Sequence, residues 1–162
     1  MGNFVKVGMA DYKIARAPNK LITTGLGSCI GICLCDTRSR IGAMAHIMLP
    51  SGELSRGHTH NQAKFADTAL EMVLGELNRD GINANRLIAK IAGGAQMFKF
   101  LGESDIMKIG LRNVQAVEEN LKKHNIKMVA KDVGGNVGRT IVFDPATGEL
   151  LIKTLGDGER VI

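Results

Sequence analysis

The chain has 162 residues, 44% of them hydrophobic and 23% charged, with a formal net charge of +5, the length and composition expected of one globular domain spanning 1–162. No apolar run approaches the ~20 residues of a membrane span, and the opening MGNFVKVGMADYK lacks the apolar segment of a secretory signal, so no membrane insertion and a cytoplasmic location are expected. Basic residues are scattered, with no run beyond Lys122-Lys123, and aromatics are only 4%, which argues against a nucleic-acid partner.

Residues 3–8 and 21–24 read as short strands, and 29–35 and 40–48 as two more around the polar stretch Asp36-Thr37-Arg38-Ser39. The segment LPSGELSRGHTH is a loop by composition. A helix is expected from about Asn61 to Asp80, with Phe65, Ala69, Met72, Val73 and Leu77 on one face and Gly81 as its stop. RLIAKIAGG reads as a strand ending in a double glycine. RNVQAVEENLKKHN reads as a second amphipathic helix, with Val114, Val117 and Leu121 inward and Asn113 as its N-cap. RTIVFDPATGELLIKTL carries two β-rich runs around an Asp-Pro-Ala-Thr-Gly turn. Strands outnumber helices and are joined by short loops. The expected fold is α+β, with a mixed, largely antiparallel sheet core flanked by helices.

TTGLGSCIGIC, residues 23–33, is the unusual stretch. A four-residue hairpin loop over 36–39 pairs Arg40 with Cys35, and counting back along the ladder sets Cys29 opposite His46. Cys29, Gly31, Cys33 and Cys35 then share one face with His46, Met44, Gly42 and Arg40. The other face carries Ile30, Ile32 and Leu34 against Ala45, Ala43 and Ile41, and is expected to pack on the core. Directly opposed side chains have Cβ atoms about 4.5–5.5 Å apart, within thiol–imidazole reach. A neighbouring imidazolium lowers a thiol pKa, and Gly25, Gly27 and Gly31 allow a substrate close to the backbone. Backbone amides near Gly27, Ser28 and Cys29 offer an oxyanion site, and Thr23 or Thr24 could orient the imidazole.

Other chemistries fit less well. Gly27-Ser28-Cys29-Ile30-Gly31 has the spacing of a nucleophile elbow, but β-leaning residues follow where that motif needs a helix. Three cysteines with His46, His58 and His60 supply enough metal ligands, yet no Cys-x-x-Cys pair occurs, and no metal is expected. Gly93-Gly94 and Gly134-Gly135 continue into neither phosphate-binding fingerprint and read as sharp turns.

TTGLGSCIGICLCD, GAMAHIMLPSG, NQAKFADTAL, KIAGGAQMF, IGLRNVQAV and GGNVGRTIVFDPATG together resemble the bacterial chemoreceptor glutamine deamidase family, CheD, in order and over nearly the whole chain. The resemblance implies a fold related to bacterial toxin cysteine deamidases and a Cys-His-Thr triad on Cys29, His46 and Thr23. It implies hydrolysis of receptor glutamine side chains to glutamate through a cysteine thioester, with no cofactor. It also implies two partners, the cytoplasmic helical bundle of chemoreceptors and the chemotaxis phosphatase CheC. Apart from the resemblance, Phe98, which follows the Gly93-Gly94 turn, is a candidate partner contact if exposed. The alternative is a non-catalytic adaptor that binds receptor or phosphatase and acts by occupancy.

Overall fold

The computed structural model describes residues 2–55, 61–97, 108–156 and 158–162. Among these, ten strands form two five-stranded sheets. The first has the order β1 (Phe4–Lys6), β3 (Lys20–Leu26), β8 (Arg139–Phe143), β9 (Leu150–Thr154), β10 (Gly158–Val161). The second has the order β2 (Asp11–Arg16), β5 (Ile41–Ile47), β4 (Ile30–Asp36), β6 (Ile88–Gly93), β7 (Lys127–Val133). Only the β1–β3 and β6–β7 pairs are parallel; the other pairs are antiparallel, as expected of the α+β class.

Helices α1 (Ala66–Arg79) and α2 (Ile109–Lys123) cover one face of the second sheet. Their apolar stripes, Ala66, Ala69, Leu70, Val73 and Leu77 on α1 and Val114, Val117 and Leu121 on α2, pack on Ile30, Ile32, Leu34, Ile41, Ala43, Ala45 and Ile47. This is the uniformly apolar hairpin face anticipated from the alternation. The opposite face, with Cys29, Cys33, Cys35 and Met44, is also buried. It packs against Leu21, Leu26, Ile141, Phe143, Leu150 and Ile152 of the first sheet. The layers therefore run helices, sheet, sheet, and β4 and β5 are buried along their whole length.

The helix expected from Asn61 begins later. Residues Gln62–Lys64 form a 3₁₀ turn capped by Asn61, whose Oδ1 accepts the Ala63 amide at 3.1 Å, and α1 starts at Ala66. It stops at Gly81, whose φ of +86° suits glycine, with Ile82 N–H returning to the Leu77 carbonyl at 2.9 Å. Strands β2, β7 and β10 were not anticipated. All three lie at sheet edges.

One ion-pair cluster clamps the sheets together near the Gly93 turn. Asp132 on β7 accepts from Arg139 Nε at 2.9 Å and from Arg160 Nη2 at 2.8 Å, while Arg139 also donates to the Gly93 and Gly134 carbonyls at 3.2 and 2.9 Å. Hydrogen bonds from Arg160, then from Arg139, hold the Asp132 carboxyl below its ordinary range against the opposing effect of burial. Its contribution to stability is thus present above the unfolded aspartate value, about 3.9, and lost as pH falls through the lower folded value. Because Arg139 is buried, Asp132→Asn is expected to cost about 3 kcal/mol. That corresponds to roughly 6–12 °C in Tm for a chain of this size, measurable by calorimetry.

Candidate functional site

The β4–β5 hairpin sets the positions of the thiol and the imidazole. Asp36 stays in the strand opposite Ile41. Its carboxylate accepts the Arg38 amide at 3.1 Å and the Ser39 hydroxyl at 2.7 Å, and pairs with Arg86 Nη2 at 2.6 Å. The loop is therefore Thr37–Arg40, closed by Arg40 N–H to the Asp36 carbonyl at 2.8 Å with Arg40 at φ +59°. The expected loop over 36–39 is one residue out of place, so the expected register is out by two. Gly31, not Cys29, stands opposite His46. An even shift leaves every ladder side chain on its face, and Cys29 now precedes the last ladder pair, Ile30–Ile47, with His46 one residue inside it.

His46 is fully buried, and its Nδ1 lies 2.7 Å from Thr23 Oγ1 on β3 of the other sheet. The same hydroxyl is 2.7 Å from the Val7 carbonyl, which can only accept. The single hydroxyl proton therefore goes to Val7, and the Thr23 oxygen must accept from His46 Nδ1–H. This fixes the neutral imidazole as the Nδ1–H tautomer and leaves Nε2 as a lone-pair acceptor. Nε2 is buried without a partner among the described residues.

Two backbone features let Thr23 reach that ring. The β3–β8 ladder slips between Thr23 and Leu26, a bulge at Thr24-Gly25 where Gly25 takes φ +72°. A Cβ on Gly31 would stand 2.5 Å from Ile141 Cδ1 and 3.3 Å from Leu26 Cδ1. Gly31 therefore admits the first sheet against β4, not a substrate as the sequence suggested. Ile141 is the ladder partner of Thr23, so the same close approach brings Thr23 onto His46.

Cys29 sits just before β4 and is 8% exposed, while Cys33 and Cys35 are fully buried. The Gly93-Gly94 turn holds its loop. Gly94 N–H donates to the Cys29 carbonyl at 2.9 Å and Ala95 N–H to the Gly27 carbonyl at 2.8 Å. Gly93, at φ +119°, lies so close that a Cβ there would meet the Cys29 carbonyl oxygen at 2.1 Å. The Gly27 amide is used within the turn, on the Gly25 carbonyl at 3.1 Å. No carbonyl among the described residues takes the Ser28 or Cys29 amide hydrogens.

Met97 covers Gly27, its Cγ 3.2 Å from where a Cβ would stand. Phe98, His58 and His60 lie outside the described residues. Among the described residues, no group of three or more His, Cys, Asp or Glu side chains could hold a metal ion. Asn113 is not an N-cap. It is buried one turn into α2, and its Nδ2 donates to the carbonyls of Ser28 at 2.9 Å and Met48 at 3.0 Å. A polar residue beside Val114 on the helix's apolar stripe was the available signal.

Burial sets the protonation states. Desolvation pushes the Cys29 thiol up, partly opposed by a hydrogen bond from its own amide, and desolvation pushes the His46 imidazole down. Burial also raises Cys33, and raises Cys35 to about 11. Near neutral pH the pair is thus thiol and neutral imidazole, not the ion pair expected from the sequence. Nε2 has the lone pair needed to take the thiol proton during attack.

The fold and site together define a two-sheet α+β protein with a threonine-oriented buried histidine and a cysteine at the adjacent strand entrance. Residues 48–154 match the CheD family, described as CheD chemotactic sensory transduction. The chain is 60% identical over 162 residues, the full length of both proteins, to a probable chemoreceptor glutamine deamidase CheD of Syntrophomonas wolfei. It is 48% identical over 162 residues, again the full length of both, to the chemoreceptor glutamine deamidase CheD of Halalkalibacterium halodurans. Identity to the Bacillus licheniformis protein of that name is 46% over 160 residues, 99% of this chain and 95% of the relative. The chain belongs to the CheD family.

Proposed function

We propose that this chain hydrolyses the side-chain amide of chemoreceptor glutamines to glutamate and ammonia in the cytoplasm, with Cys29 as nucleophile, His46 as base and acid, and Thr23 as the residue that orients His46. The observation carrying this reading is the bond chain Val7 carbonyl–Thr23 hydroxyl–His46 Nδ1, which leaves Nε2 unprotonated and without a partner among the described residues. The full-length relatives named for this activity support the substrate class.

His46 Nε2 takes the Cys29 proton as Sγ bonds to the carboxamide carbon, and the carbonyl π electrons move onto oxygen. The Ser28 and Cys29 amides, which no backbone carbonyl among the described residues takes, are the oxyanion donors; the Gly27 amide, already bonded to a carbonyl, is not. His46 returns its proton to the nitrogen, the C–N bond breaks, and ammonia leaves a thioester. Water, deprotonated by Nε2, attacks the thioester; the C–S bond breaks, the thiol is restored and the carboxylate is released.

The net charge of +5 favours approach to an acidic helical bundle. The phosphatase CheC is the second partner in this reading. The test is incubation with a soluble receptor cytoplasmic domain, followed by peptide mass spectrometry for amide-to-acid conversion, with Cys29→Ala as control. Binding without conversion would replace this reading with that of an adaptor.

The acid side of the rate profile separates the neutral pair from an ion pair. His46 must be unprotonated to act as base, and its pKa is lowered. The acid limb of kcat/KM is therefore expected below the ordinary histidine value of about 6.5. A limb centred above that value would contradict the neutral pair.

A further inference from the structure

We infer that Asn113 is a positioning residue that sets the separation between Cys29 and His46 by joining the two chain segments on which they lie. This rests on the Cys29–His46 reading above.

The β4–β5 ladder ends at the pair Ile30–Ile47. Beyond it the strands part. Segment 27–29 bonds to Gly94 and Ala95, whereas Met48 and Leu49 N–H both turn to the Lys64 carbonyl, and the Leu49 carbonyl accepts from Ala66. Cys29 lies just past this divergence and His46 just before it. Among the described residues, the only hydrogen-bonded link between segments 27–29 and 48–49 is the Asn113 amide, whose single nitrogen donates to both the Ser28 and Met48 carbonyls.

That nitrogen replaces the missing rung of the ladder. The task needs two donors on one atom at the end of a short arm, which an amide supplies and an apolar residue does not. Its Oδ1 is buried without a partner among the described residues. Packing alone would favour an isosteric leucine at this fully buried position, so it is the donor half of the side chain that explains the asparagine. Helix α2, otherwise a cover for the sheet, thereby reaches through to the site.

Asn113→Leu removes both donors at similar volume, and Asn113→Ser leaves at most one on a shorter arm. Each is assayed for receptor deamidation, for Tm, and for iodoacetamide alkylation of Cys29 in neutral and strongly alkaline buffer. A widened gap is expected to lower kcat on the order of 100-fold with KM little changed. It is also expected to lower the neutral-to-alkaline ratio of alkylation rates about tenfold, because His46 no longer assists the thiol while hydroxide still ionises it. The serine variant decides the matter should the leucine variant not fold.

A folded variant with lower Tm but parental kcat and parental alkylation ratio would overturn the inference. Should the parent chain show base-assisted alkylation yet no conversion of receptor, the deamidase reading fails, while the alkylation ratio still tests Asn113.

Discussion

Cys29→Ala is expected to lower receptor deamidation by about 10,000-fold or more while leaving receptor binding intact. The substitution removes one sulfur from a position that is 8% exposed and packed on the inter-sheet core, so the fold should tolerate it. His46→Ala is expected to cost as much, and the double variant no more than either single one. Nucleophile and base act as a unit, and their losses do not add. Ammonia release and peptide mass spectrometry read the result. Turnover that survives either substitution would remove that residue from the mechanism, and fully additive losses would mean that the two act independently.

Thr23→Val is the second large effect. Valine fills the same space but strands two buried groups, the His46 Nδ1–H and the Val7 carbonyl. The expected cost is about 2 kcal/mol of stability. The catalytic loss is expected to be on the order of 100-fold in kcat, because the ring is free to rotate or to protonate Nε2 and so withdraw the lone pair. Thr23→Ser keeps the hydroxyl and is expected to retain most of the activity. Nitrogen NMR of the imidazole reads the cause directly, with Nδ1–H in the parent and the serine variant and a mixture in the valine variant. Equal activity of the valine and serine variants would show that the hydroxyl has no orienting role.

Strands buried on both sides were the most legible part of the fold. Residues 29–35 and 40–48 carry near-continuous apolar runs, because one of their faces meets the helices and the other the first sheet. The strands missed, β2, β7 and β10, are edges carrying Lys13, Arg16, Lys127, Lys131 and Glu159. Charges there are what keeps an open edge from pairing with another chain, and they erase the alternation that marks a strand. The helix beginning near Asn61 was legible in its apolar face but not in its start, since 3₁₀ and α turns share their capping chemistry.

At the site, Cys29 and His46 emerged from an assumed hairpin loop and strand alternation, and the resemblance chose Thr23 over Thr24, but the register between the first two was out by a pair. Periodicity of two specifies the face of a strand and is blind to an even shift; only the Asp36 carboxylate, bonded to its own turn and to Arg86, decides where the loop begins. Asn113 was read as a cap because its bond across 85 residues to Ser28 is not written locally; its place beside Val114 on the apolar stripe signals burial but not the partner.

By itself, then, the order of residues determined which side chains share a face of the β4–β5 hairpin, where the helices lie, and which family the chain resembles. These follow from local periodicity and from motifs contiguous in the chain. Tertiary structure alone decided that the Thr23 proton belongs to Val7, that His46 presents a bare Nε2, and that burial keeps thiol and imidazole neutral. Each of those depends on one sheet closing over another, an event with no counterpart in any local stretch of sequence.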